Sequence, residues 1–224
     1  MTDDIIGNVV AEDGTTDSTS VRIYAADPDS SSSRELGRYV WALGALYMPG
    51  FEVVPSFRQD RIGRGGDHIP YLEQGWPALR FTERLENYNR QHLSTDDLAH
   101  VDFGYVTKVA RLNALALVSL ASSPPAPVGV RARRENSASG GQSWRLTWEA
   151  VPGAASYEIL VRRTTSPSWE RVIPAGTATS YTLAFQLDDG WAAIRTVGAN
   201  AHRSLARAAG TVVARPPASS SAVP

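Results

Sequence analysis

The chain has 224 residues, of which 42% are hydrophobic and 20% charged, with a formal net charge of -1; this is enough for two small domains or one medium domain of ordinary globular composition. The near-zero charge gives no case for a nucleic-acid partner or a membrane-surface partner, and no apolar run reaches the length needed to cross a bilayer. With no cysteine in the sequence, disulfides and thiolate metal sites are excluded.

In chain order, Ile5 to Val10 give way to a polar turn over Glu12 to Ser20, rich in Asp, Thr and Ser. Val21, Ile23 and Ala25 then alternate with Arg22 and Tyr24, the period of a half-buried strand. Ser30 to Ser33 signal a helix start, and Leu36, Tyr39, Val40, Leu43 and Leu46 recur at helical spacing up to the stop at Pro49-Gly50. Phe51 to Phe57 reads as a second strand, so a strand, helix, strand unit with a right-handed crossover is expected if the strands are parallel. The glycines of Gly63-Arg64-Gly65-Gly66 suit a turn, or a close approach of backbone N–H groups to a polar ligand. Asp67 is placed to cap a short helix from His68 to Gln74, with Pro70 in its first turn and Gly75 ending it. Trp76 to Phe81 reads as the next strand. The loop after it carries Glu83, Glu86, Tyr88 and His92, where open α/β sheets keep their sites, at the carboxyl ends of strands. From Asp102 to Leu120 an amphipathic helix is expected, with Phe103, Val106, Val109, Leu112 and Leu117 on its buried side.

Ser122-Ser-Pro-Pro-Ala-Pro127 then breaks the helical pattern and reads as a linker. Beyond it the period becomes two: Trp144, Leu146 and Trp148; Tyr157, Ile159 and Val161; Tyr181 and Leu183; and Trp191 to Val197. Turn signals at Ser139-Gly140-Gly141, Pro152-Gly153, Pro174 to Gly176 and Asp188 to Gly190 separate these runs. About seven short strands in this length argue for an antiparallel β-sandwich. The segment Leu146 to Ile159 resembles strands B and C of fibronectin type III modules, in which the Trp and Tyr are core residues. Gly198 to Ser204 resembles a late turn of such a module, with Ala201 where glycine is usual and His202 expected on the surface. Pro216 to Pro224 is rich in Pro, Ser and Ala and is expected to be disordered.

The order Asp4-Ile-Ile-Gly-Asn8, Gly65-Gly-Asp-His68, Pro77 to Glu83, Glu86-Asn-Tyr-Asn89 and His92 resembles the C-terminal half of a two-zinc exopeptidase, of the leucyl-aminopeptidase-like and glutamate-carboxypeptidase-like family M twenty-eight. The resemblance covers roughly residues 3 to 120. It implies two zinc ions as cofactors, a peptide substrate, Asp4 and His92 as metal ligands, and a substrate pocket bordered by Arg64, Gly65 and Gly66. The adjacent Glu-Glu pair that would supply the general base occurs nowhere in the sequence, so no catalytic Glu is assigned. His100-Val-Asp102 has the spacing of the family's first motif but follows its last His and is read as coincidental.

The expectation is therefore a partial α/β zinc-exopeptidase sheet with flanking helices over residues 1–121, a linker over 122–127, an immunoglobulin-like all-β sandwich over 128–216 and a tail over 217–224. By resemblance the chain is a zinc-dependent aminopeptidase or related exopeptidase, truncated inside its sheet and inactive alone. The alternatives are a non-catalytic binding or spacer module, whose sandwich partner the sequence does not name, and an unproductive gene fragment. The strands at 51–57 and 77–81 are expected to carry an unpaired edge. The start of the chain lacks a signal peptide, so the expected location as written is cytoplasmic, with complete relatives exported.

Overall fold

A computed structural model describes residues 1–26, 32–61, 63–136 and 142–211. The tail at 217–224, the end of the expected sandwich and the turn signal at Ser139-Gly140-Gly141 lie outside them.

The first half contains β1 (Thr2–Asp3), β2 (Ser20–Tyr24), α1 (Ser32–Tyr47), β3 (Glu52–Ser56), α2 (Ile69–Glu73), β4 (Arg80–Glu83), a 3-10 turn (Leu98–His100) and α3 (Phe103–Ala121). The sheet order is β1-β4-β2-β3, with β1 parallel to β4, β4 antiparallel to β2 and β2 parallel to β3. Register sorts the side chains: Ile23 opposite Phe81 and Val21 opposite Val53 share one face, whereas Tyr24 opposite Arg80 shares the other. On the first face these residues form one core with Leu36 and Val40 of α1 and Tyr105, Val109, Leu112 and Ala116 of α3. Close packing there needs Gly44, since a Cβ would lie 2.6 Å from a Val53 methyl.

Several expectations are corrected. The strand at Trp76 to Phe81 begins later, at Arg80: Gly75 ends α2 with φ 77°, Pro77 has no amide to donate, and Trp76 is exposed. Asp67 is not the cap of α2, whose N-cap is His68 with no side-chain cap bond. Phe103 and Leu117 are exposed. The buried stripe of α3 is Tyr105, Val109, Leu112, Ala116 and Ser119, and Asp102 caps the helix by accepting from the Tyr105 N–H at 2.8 Å. Leu46 also faces outward. β4 is paired on both sides, by β1 and β2, so of the two strands expected to carry an open edge only β3 is at the margin of the sheet.

The second half holds β5 (Arg131–Asn136), β6 (Gln142–Thr147), β7 (Ser156–Arg163), β8 (Arg171–Gly176), β9 (Ser180–Leu183), β10 (Gly190–Val197), β11 (Arg207–Ala208) and β12 (Gly210–Thr211). They form two sheets, β11-β10-β7-β8 and β12-β5-β6-β9, whose inner faces enclose Leu146, Trp148, Tyr157, Ile159, Leu183 and Ile194. The Trp148 and Tyr157 rings meet edge-on at 5.5 Å, and the Tyr157 hydroxyl accepts from the Val151 N–H at 2.8 Å. Strand β7 does not alternate cleanly, because Leu160 is buried on the outer face with Ala193, Ala206 and Trp169, where the sheet meets α1. At that seam Trp169 Nε1 donates to Glu35 at 3.0 Å and Arg38 Nε donates to the Pro167 carbonyl at 2.8 Å. His202 is also part of the seam rather than a free surface residue: it is half-buried, with Nδ1 3.2 Å from Ser119 Oγ. The linker is fastened as well, by Thr196 Oγ1 to the Pro125 carbonyl at 2.7 Å and Asn200 Nδ2 to the Ser122 carbonyl at 2.9 Å. Among the described residues no helix is long and apolar enough to cross a membrane.

Candidate active site

β1 and β4 run parallel and end on acidic residues, Asp3 followed by Asp4 on one strand and Glu83 on the other. At their carboxyl ends opens a cavity of about 590 Å³ whose wall includes Asp4, Arg64, Gly65, Arg80, Glu83, Arg90, His92 and His100. Four of the five residues singled out from the sequence, Asp4, Arg64, Gly65 and His92, thus line one space. Gly66 lies behind that wall against Asp4: a Cβ there would sit 2.6 Å from Asp4 Oδ2 and 3.2 Å from His68 Nδ1. Its missing side chain lets the carboxylate, the imidazole and the backbone converge.

Asp4 is held by Arg80, a guanidinium with 1% of its side chain exposed. Arg80 Nε lies 2.9 Å from Asp4 Oδ2 without pointing its N–H at the oxygen, so the contact is an ion pair rather than a hydrogen bond, while Nη1 donates to Asp60 at 2.9 Å. Burial pushes the Asp60 carboxyl up, but the Arg61 N–H and the Arg64 and Arg80 charges outweigh it and hold the group below its ordinary value. Arg64 is also committed, to Glu86, to the Tyr88 hydroxyl at 2.8 Å and to Asp60 at 3.5 Å. Burial pulls its pKa down and the hydrogen bond and charge of Glu86 more than reverse that, so it titrates above its ordinary value. It therefore faces the cavity as a fixed positive edge.

Glu83 is 3% exposed, and its burial, offset in part by hydrogen bonds from the Asn8 side chain and N–H, pushes its carboxyl up to about 7. A carboxyl at that value in a cavity wall is of the kind that exchanges protons near neutrality. His68 is also buried, and burial followed by the Arg80 charge lowers its pKa despite the opposing Asp4 charge.

Backbone strain collects at the same place. Among the described residues three non-glycine positions have positive φ, Ile5, His92 and Ala201, each at 64°. The first follows Asp4 and the second is itself a cavity residue. For a β-branched Ile this region is costly, and such outliers persist where surrounding structure over-determines them.

Asp4 and His92 offer the donor types zinc takes, a carboxylate and an imidazole. They do not make up a complete set: among the described residues no group of three His, Cys, Asp or Glu side chains is placed to hold a metal. The site as these residues build it is a partial one, and no catalytic step on a metal is assigned to them.

His68 and Arg80 lie in segments that carry the resemblance but were given no role from the sequence, and Glu83 none beyond its loop. The signal for Arg80 is its place in Leu79-Arg-Phe-Thr-Glu83, where period-two alternation turns it to the face away from Phe81; that for His68 is its place in Gly65-Gly-Asp-His68. His100 lines the cavity with Nδ1 2.8 Å from Asp97 Oδ1, and Asp102 of the same triplet is the α3 cap.

Comparison with known proteins gives this cavity a context. No family model matches the chain. It is similar to a protein named probable zinc metalloprotease from Pyrenophora tritici-repentis, 32% identical over an alignment of 237 positions that covers 91% of this chain and 54% of that protein. Proteins of the same description from Leptosphaeria maculans and Pyricularia oryzae are each 31% identical, over 91% and 92% of this chain and 53% and 47% of their own length. The chain spans about half the length of the curated relatives it matches. Among solved structures, a Fn3-like protein from Clostridium thermocellum is 26% identical, covering 42% of this chain and 99% of its own at a TM-score of 0.33; the sandwich assignment rests on the strand order above.

Proposed function

We propose that the chain is the C-terminal part of a two-zinc exopeptidase of family M twenty-eight, aminopeptidase-like in its chemistry, which hydrolyses a terminal peptide bond. In this reading Asp4 and His92 are its share of the metal ligands, and Arg64 with the Gly65-Gly66 backbone is its share of the substrate cavity. The observation that carries it is the meeting of Asp4 and His92, far apart in sequence, in one cavity at the carboxyl ends of a parallel strand pair. The similarity to proteins named zinc metalloproteases supports the same reading.

Zinc bound there would polarise the scissile carbonyl and acidify a water. The residues of this chain do the holding. Arg80 fixes Asp4, and Glu83 ties the turn after Asp4 to the end of β4 through Asn8. Arg64 presents a positive edge to a substrate carbonyl or carboxylate. A catalytic zinc normally keeps three protein ligands, so the reading assigns the remaining donors and the general base to the part of the relatives that this chain does not span. Alone, the chain is then inactive.

Metal analysis tests this. The chain alone, after dialysis, is expected to keep well under about one zinc, and to reach about two when mixed with the upstream half of a full-length relative. Asp4→Asn and His92→Ala are each expected to lower that number. Retention of about two zincs by the chain alone, or indifference to both substitutions in the reconstituted protein, would overturn the reading.

A further inference from the structure

A second cavity, a groove of about 520 Å³, lies between α1 and the outer face of the β11-β10-β7-β8 sheet. Ala42, Leu43 and Leu46 of α1 and Leu160 and Val172 of the sheet give it aliphatic walls. Leu46 is 67% exposed and Val172 50%, so large apolar side chains stand open on both sides of one concave surface.

The rest of the groove is polar and connected. His202 Nδ1 lies 3.2 Å from Ser119 Oγ, which lies 2.7 Å from the Tyr39 hydroxyl, and that hydroxyl donates to the Arg203 carbonyl at 3.1 Å. Arg195 and Arg203 close on a single carboxylate, Glu158, at 2.6 and 3.1 Å. The lining holds the guanidiniums of Arg38, Arg195 and Arg203 and, among the described residues, one carboxylate, Glu35, which pairs with Arg38 at 2.6 Å. Glu158 offsets one of the remaining two cations. Among the described residues, Arg195, Arg203 and Glu158 together thus keep one positive charge, beside an Arg203 side chain that is 42% exposed.

We propose that this groove binds a small amphipathic anion, an aliphatic chain with a carboxylate head. The chain lies against Leu43, Leu46 and Val172, where its methylenes leave water, and the carboxylate meets the exposed end of the Arg203 guanidinium, beyond the Nε and Nη2 bonds to Glu158 and the Nη1 bond to the Ala201 carbonyl. Grooves of this size at the seam of two units, with apolar walls and a few convergent polar groups, are common ligand sites. The site is separate from the peptidase reading and does not depend on it.

The test is calorimetric titration of the full chain with dodecanoate, dodecanol and dodecylammonium below their aggregation concentrations. Dodecanoate is expected to bind saturably and about tenfold or more tighter than the ammonium. Arg203→Met is expected to weaken dodecanoate about tenfold and to leave dodecanol unchanged. Val172→Glu, at a half-exposed position that leaves the core intact, is expected to abolish dodecanoate binding, and it decides the matter alone if the Arg203 variant does not fold. Equal binding of all three probes, or dodecanoate binding unchanged by Val172→Glu, overturns the proposal. So does a dimer in sedimentation that Val172→Glu dissolves, since a second copy of the chain would then be the occupant.

Discussion

The α/β half and the sandwich bury different things. The interior between the sandwich sheets is apolar, built on Leu146, Trp148, Tyr157, Ile159, Leu183 and Ile194. The α/β sheet has such an interior on its helix-covered face only, with Glu83 buried at its edge; on the other face Arg80 and His68 are buried, with Asp4 and Asp60 against Arg80. Apolar burial stabilises without direction, whereas buried charges must be matched one by one and leave a cavity with fixed electrostatics. The sandwich is therefore held by apolar burial and one side of the α/β sheet by matched charges, and substitutions should separate the two.

The largest effects are expected at one position in each half. Trp148→Ala removes a side chain 5% exposed and stacked edge-on with Tyr157, and denaturant unfolding should show a loss of about 3 to 5 kcal/mol. Arg80→Met should cost about 3 to 5 kcal/mol too, for the opposite reason: it leaves Asp4 without its counter-charge and Asp60 with Arg64 alone. The two are told apart by Asp60→Asn. Added to Arg80→Met, it should recover part of the loss in a double-mutant cycle, and no change at a distant core position should do so.

The next prediction is a pH dependence. In the folded chain Glu83 keeps its proton up to about 7, while the ordinary value is 4.5. The folded state thus binds more protons between those values, and stability should fall as pH rises through that window, by on the order of 3 kcal/mol from this group. Glu83→Gln cannot ionise, so its melting curves should lack that slope; a slope equal to that of the unsubstituted chain would show that Glu83 is not its source. The smallest effect is expected at Ala201, whose φ of 64° suits glycine. Ala201→Gly should raise stability by about 1 kcal/mol in thermal unfolding.

The sandwich was the more legible half. Its strands announce themselves through Trp144, Leu146 and Trp148 and through the Tyr157 to Val161 run, because a two-faced sheet imposes period two wherever one side is wet. Leu160 breaks the pattern only because α1 covers the outer face, which no local window can show. In the α/β half, the spacing of Val21 and Ile23 and of Leu36 and Val40 was enough to order the elements. The ends were misplaced where a single residue overrides the pattern, as Pro77 does for β4. The stripe of α3 was misread at Phe103 and Leu117 since both are apolar and at compatible spacing, and only packing distinguishes Tyr105 from Phe103. Asp4, Arg64, Gly65 and His92 were singled out by their resemblance to a motif order, and they line one cavity. Arg80 and His68 were missed because a charged or imidazole residue in a strand or loop reads as solvated until its neighbours are known.

The fastened linker has a consequence for whatever the sandwich holds. A free Ser-Pro-rich connection would let the two halves sample many distances, and a ligand captured by one would be diluted over that volume before meeting the other. Here Thr196 and Asn200 clamp the connection at Pro125 and Ser122, and Trp169 and Arg38 hold the sheet to α1. The separation between sandwich and cavity is therefore a constant of the molecule, and the effective concentration of one site at the other is set by geometry, as between two jaws of a single tool.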